Sequence, residues 1–140
     1  MLPFPISLVP GESPYRQVVY AATKAVVSGV LPAGSSFPSV RELSQALKIN
    51  PNTAHKVVAE LVRNGVLEVL PGVGTVVAIG AESSAAEKRA LLSKPVEQLV
   101  VEAMRLGLEE RDVAQAVALR WRELSGGTQH VAADRAATSE

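Results

Sequence analysis

Cysteine is absent from all 140 residues, which excludes a disulfide framework, thiol chemistry and the zinc sets built on cysteine. Long apolar runs are missing too. No stretch approaches the length of a membrane span, so no membrane partner is expected. The opening Met1-Leu2-Pro3-Phe4-Pro5 lacks the charged start and unbroken apolar core of a signal peptide, and a cytoplasmic protein is the expectation. No phosphate-cradling loop, no paired metal-ligand histidines and no nucleophile elbow occur, so neither an enzyme nor a bound cofactor or metal is expected.

Excess charge of either sign is also lacking. The chain holds 14 basic and 14 acidic residues, a balance that argues mildly against nucleic acid. Its distribution is more informative. Residues 1–80 carry Arg16, Lys24, Arg41, Lys48, Lys56 and Arg63 against Glu12, Glu42, Glu60 and Glu68, a net of +2, and the remainder carries −2.

What is present is local punctuation. Apolar residues make up 47% of the chain, enough for one domain with a core plus an appendage. Ser13-Pro14 starts a helix, with a capping oxygen and then proline at the first helical position. Val18, Val19, Ala22, Ala25 and Val26 follow at helical spacing until Gly29, and Pro32-Ala33-Gly34 forms a loop. Ser39 and Glu42 make a capping box for a short helix whose inner face is Val40, Leu43, Ala46 and Leu47. Lys48-Ile49 is the turn. Asn50 caps a second helix, Pro51 opens it, and Gly65 ends it. Ala54, Val57, Val58, Leu61 and Val62 line one side of that helix. The other side carries Asn52, Lys56, Ala59 and Arg63, flanked by Thr53, His55 and Glu60.

Val66–Leu70 and Thr75–Ile79, joined by Pro71-Gly72-Val73-Gly74, read as a hairpin, with the motif ending near Gly80. Two short helices, a tight turn and a glycine-tipped wing form a module whose commonest use is reading duplex DNA. Downstream, Ser84 with Glu87 is a second capping box. Leu92, Val96, Leu99, Ala103 and Leu106 alternate spacings of four and three, the seam of a helix packing lengthwise on a partner. Pro95 either kinks or splits this tract. A last helix from about Glu109 to Leu124 puts Val113, Val117, Trp121 and Leu124 on one stripe.

The expected fold class is mainly α with a small β-hairpin: a winged helix-turn-helix over 1–80, a two-helix dimerisation appendage over 81–125, and a disordered tail over 126–140.

The residues Pro14-Tyr15-Arg16-Gln17-Val18, Gly34-Ser35, Pro38-Ser39-Val40-Arg41-Glu42-Leu43, Asn50-Pro51-Asn52-Thr53 and Gly72-Val73-Gly74-Thr75-Val76-Val77 together resemble GntR-type transcriptional regulators, and within them the YtrA-like group. The pattern covers roughly half the chain, and Asn50-Pro51-Asn52-Thr53 is its most specific element. Two departures stand out. Val57-Val58 follows Lys56 where many relatives carry an aromatic or alanine pair. Leu70-Pro71 stands where the wing often carries a basic residue, which implies a weaker grip on phosphate or the minor groove.

The resemblance implies that Arg41 contacts phosphate or a guanine edge, the alternative being a surface arginine paired with a neighbouring glutamate. Asn50, Asn52 and Thr53 are suited to a helix N-terminus entering the major groove, although Asn50 can equally serve only as a cap. His55 aligns with a DNA-contacting position, against the plainer reading of a solvated side chain. Lys56 suits a phosphate clamp better than a base reader, because its charge is a point rather than a fork. Gly72 and Gly74 satisfy a tight turn and can also bring backbone to the minor groove. Trp121 reads as core or interface rather than as a ligand platform.

The function so implied is a homodimeric, sequence-specific repressor of double-stranded DNA on an inverted-repeat operator, near its own operon and often beside transporter genes. Leu92, Val96, Leu99, Ala103, Val113, Val117, Trp121 and Leu124 are the expected dimer residues. An inactivating small-molecule effector is implied as well. The appendage is too small to enclose a sizeable pocket, so an effector would bind between subunits or at the domain junction, with Pro95 or Leu106-Gly107 as a hinge. The main rival is a winged-helix protein–protein module with an idle DNA face. A second rival, the DNA-binding half of a pyridoxal-phosphate regulator, needs a large domain for which there is no room.

Overall fold

The structure is a computed structural model that describes residues 2–79 and 83–138, with side chains described through Gly126. Elements run in the order α1 (Pro14–Val27), α2 (Val40–Leu47), α3 (Pro51–Arg63), β1 (Leu67–Leu70), β2 (Gly74–Val77), α4 (Ala85–Leu92), α5 (Lys94–Arg105) and α6 (Glu110–Thr138). The chain divides into two compact units, one of Met1–Ala81 with Ser125–Glu140 and the other of Glu82–Leu124. The motif end expected at Gly80 lies outside the described residues. Among the described residues no helix is long and apolar enough to cross a membrane.

In the first unit each helix starts at a local signal. Ser13 Oγ accepts from the Arg16 amide at 3.3 Å ahead of Pro14. At Ser39 the capping box is complete: its Oγ accepts from the Glu42 amide at 3.1 Å, and Glu42 Oε1 accepts from the Ser39 amide at 3.5 Å. The three helices then bury one face each. Val18, Ala22 and Ala25 of α1, Leu43 of α2, and Ala54, Val57 and Leu61 of α3 share a core with Phe4, Leu31, Phe37, Leu67 and Val77. Ala46, expected on the inner face of α2, is exposed. An eight-residue helix buries only a narrow stripe, and Ala46 lies at its edge beside Leu2–Ile6.

β1 and β2 pair antiparallel, with Leu67 opposite Val77 and Leu70 opposite Gly74. The hairpin also gains a partner that a loop reading of Pro32-Ala33-Gly34 does not anticipate. Gly34 N–H donates to Val77 O at 2.9 Å, Val77 N–H to Ser35 O at 2.8 Å, and Phe37 N–H to Thr75 O at 2.9 Å. This short segment satisfies the free edge of β2.

The N-terminal segment is a further addition. Phe4 is buried and stacks on Phe37, while Gln17 Oε1 accepts from Val9 N–H at 2.7 Å and Gln17 Nε2 donates to Val9 O at 3.1 Å and Glu12 O at 3.2 Å. One α1 side chain thus replaces a strand neighbour for the segment leading into the helix.

In the second unit the Pro95 alternative resolves to a split, the first tract of the appendage dividing into α4 and α5 ahead of α6. Proline lacks the N–H that would continue the α4 ladder, and the chain breaks at Ser93. Ser93 Oγ donates to Arg89 O at 2.8 Å there, and Pro95 falls in the first turn of α5. Ser84 Oγ accepts from the Glu87 amide at 3.1 Å, the forward half of the expected box. α6 keeps a helical backbone as far as Thr138, across most of the segment expected to be an unpatterned tail.

Candidate nucleic-acid interface

The geometry of α3 follows from its two faces. Ala54, Val57 and Leu61 are fully buried, and this fixes the rotation of the helix about its axis. Asn50, Asn52, His55, Lys56, Ala59 and Arg63 are therefore exposed, and Thr53 is half-buried at the margin. Asn52, Lys56 and Arg63 recur at spacings of four and seven, so they line a single side.

Asn50 performs the capping role: its Oδ1 accepts from the Asn52 amide at 2.8 Å. Its amide nitrogen is a donor that the cap does not use. Arg63 is paired with Glu60, one turn back on the same helix. Arg41 and Lys56 have no such partner among the described residues. Glu42, the acid nearest Arg41 in sequence, is turned back into the capping box instead. Arg41 stands exposed in the first turn of α2.

One residue that sequence reading places only in the turn belongs beside these. Lys48, between α2 and α3, has φ 55 and ψ 45, and it is the one described non-glycine residue with positive φ. The amides of Lys48 and Ile49 both donate to Ser44 O, which turns the chain within three residues. Its ammonium is exposed between the two helices. The available signal was geometric: a turn this short with no glycine forces one residue into the left-handed region.

Gly72 and Gly74 lie exposed at the hairpin tip with φ 77 and 116, conformations that L side chains rarely adopt. Arg41, Asn50, Asn52, Thr53, His55, Lys56, Gly72 and Gly74 thus all fall in the first unit at or near its surface. Of the expected dimer residues, Leu92, Val96, Leu99, Val117 and Trp121 are exposed, Val113 and Leu124 are half-buried, and Ala103 is buried within its own unit.

Residues 14–77 match the model of the bacterial regulatory proteins of the gntR family. The HTH-type transcriptional repressor YtrA of Bacillus subtilis is 33% identical over 96 residues, spanning 68% of this chain and 74% of that protein. The chain belongs to the GntR family, in its YtrA-like group. Solved structures agree with this membership. A crystal structure described as a transcriptional antiterminator from Listeria monocytogenes EGD-e superposes with a TM-score of 0.74 at 26% identity, covering 87% of this chain and 92% of the other. A transcriptional regulator from Oenococcus oeni gives 0.58 at 28% identity, covering 81% and 94%. As a GntR-family member the chain is a DNA-binding transcriptional regulator with a winged helix-turn-helix, of which α3 is the second motif helix.

Proposed function

We propose that this chain is a homodimeric repressor that binds an inverted-repeat operator in double-stranded DNA. One observation carries the reading: α3 buries Ala54, Val57 and Leu61 and leaves Asn50, Asn52, His55 and Lys56 outward, on a face with no structural use of its own beyond one cap. In this proposal Asn52 and Thr53 read base edges. Asn50 caps and donates from its free amide, His55 contacts a base or phosphate, and Arg41 and Lys56 hold phosphates. Gly72 and Gly74 bring the wing to the duplex.

Support for dimerisation comes from the second unit, where Ala103 is the one buried side chain among the described residues while Leu92, Val96, Leu99 and Trp121 stand exposed. A unit with so little interior of its own gains one by meeting a second copy, and two readers about a helical turn apart multiply specificity on a palindrome. The repressor sense is supported by the name of the Bacillus subtilis relative. A cytoplasmic location, a target among the regulator's own operon and transporter genes, and a small-molecule effector remain part of this proposal.

Selection of bound fragments from a random DNA pool tests it. The expected product is an inverted repeat, bound as a dimer, with affinity falling steeply as salt rises. Recovery of no enriched sequence, with weak binding at every salt concentration, would instead support the protein–protein module, which the balanced charge and the uncharged wing tip favour.

A further inference from the structure

Glu68 is the one ionisable side chain between Asn64 and Ile79, and it stands at the base of the hairpin. The tip therefore has no cation with which to hold a phosphate. What it presents instead is apolar on both sides. Strand alternation puts Val69 and Leu70 on opposite faces, and both are exposed, at 61% and 37%. Pro71 and Val73 continue the apolar surface around the turn, Val73 at 69% exposed. Across the ladder Leu70 faces Gly74, which has no side chain to cover it. A Cβ built on Gly72 or Gly74 would meet no atom within 4 Å, so the outside of the turn is open.

We propose that the Leu70-Pro71 tip is a wedge that enters the minor groove beside the recognition helix and partly unstacks one base step. The inference rests on the DNA-binding reading above and adds how the wing takes part. The occupant is chosen by shape and chemistry. A protein-docking patch needs one apolar face, whereas a blade pushed between base pairs needs two, with a narrow glycine-bounded turn at its front. The wing is continuous with the reading face: Val66 N–H donates to Leu61 O at 2.9 Å, so β1 leaves directly from the end of α3 and packs against it. Apolar side chains, leucine and proline among them, open minor-groove steps and kink the duplex toward the major groove. The step selected is then one that unstacks readily, such as a pyrimidine–purine step, and it is read without a hydrogen bond.

An uncharged wedge also has a thermodynamic signature. It releases no counterion, so its loss lowers affinity equally at all salt concentrations.

The test uses the full-length protein and the duplex recovered by selection, with dyes at the two ends of the duplex to report bending by energy transfer. Wild-type protein is expected to bend the duplex by roughly 20–90°. The double variant Leu70→Ala, Pro71→Ala is expected to lose most of that bend and to bind roughly tenfold more weakly, with an unchanged slope of log affinity against log salt. Val73→Ser, which leaves the strands and Pro71 intact, is expected to show a smaller loss with the same parallel slope. Pro71→Lys is expected to steepen the slope, by about one unit for each phosphate gained, without restoring the bend. Binding by the wild type with a straight duplex, or variants with unaltered bend and affinity, would overturn the wedge and leave the regulator reading intact. Failure of the wild type to bind any duplex would sink both.

Discussion

Phe4 lies on Phe37 with ring centroids 5.8 Å apart and planes 14° from parallel, so the start of the chain closes the core just ahead of the α2 cap. Phe37 is followed by Pro38 and Ser39, and its own amide is held by Thr75 O. The stack thus ties the N-terminal segment to the helix-turn-helix and the wing at one point. Phe4→Ala removes a ring that is 4% exposed and is expected to cost about 3 kcal/mol, at the low end for a buried phenylalanine because the segment can relax into the space. Urea denaturation measures this. A loss below about 0.5 kcal/mol would mean that the segment contributes little to the fold.

Lys48 holds a left-handed conformation with its side chain in solvent, so glycine relieves strain there without removing packing. Against that gain stands the greater freedom of glycine in the unfolded chain. Lys48→Gly is therefore expected to raise stability by about 0.5–1 kcal/mol, read as a higher Tm. A lower Tm would show that the Lys48 side chain makes contacts that matter.

Asn50 combines two jobs that a single substitution separates. Asn50→Asp keeps the oxygen that accepts from the Asn52 amide, and its charge favours a helix N-terminus. Stability should stay within about 0.5 kcal/mol of the wild type. The same change removes the amide donor and places a negative charge where phosphate is to approach, so affinity for DNA should fall several-fold. Unchanged binding by gel shift would leave Asn50 with the cap alone.

How legible these features were in sequence depends on how local their causes are. Ser13-Pro14, Ser39 with Glu42, and Asn50-Pro51 are caps whose partners lie within three residues, and the helices begin where those signals stand. The outward side of α3 was legible for the same reason, because a period of 3.6 residues assigns a face once Ala54, Val57 and Leu61 are recognised as inward. The N-terminal segment was not, since Phe4 meets Phe37 and Val9 meets Gln17 across sequence gaps that no local pattern spans. Pairing of Gly34–Phe37 with β2 lies some forty residues away and was missed likewise. Pro95 announced a disturbance, but choosing between a kink and a split needed the backbone of Ser93. Lys48 was legible as part of the turn, but its left-handed conformation was not, because lysine carries no signature for one.

Trp121, the one tryptophan of the chain, is 74% exposed on α6. If that surface meets a second copy, Trp121→Ala should weaken the dimer by roughly 2 kcal/mol, about thirtyfold in Kd, as truncation of a central interface aromatic does. Sedimentation equilibrium reads the dimer, and the thermal transition of the first unit should be little altered. An unchanged dimer would place the contact elsewhere on α5 or α6.

Asn52 and Lys56 share one side of α3, a turn apart, yet their chemistry separates specificity from affinity. Asn52 offers a donor and an acceptor that together match an adenine edge, and Asn52→Ala should cost roughly 1–3 kcal/mol at one operator position while sparing random DNA. Lys56 offers a charge with no fixed direction. Lys56→Ala should therefore weaken operator and random duplex alike and reduce the salt slope by about one per protomer. Titrations of both variants against both duplexes across a salt series distinguish the roles. Equal losses on operator and random DNA for Asn52→Ala would remove it from the base-reading set, because a contact that ignores sequence is a contact to the backbone.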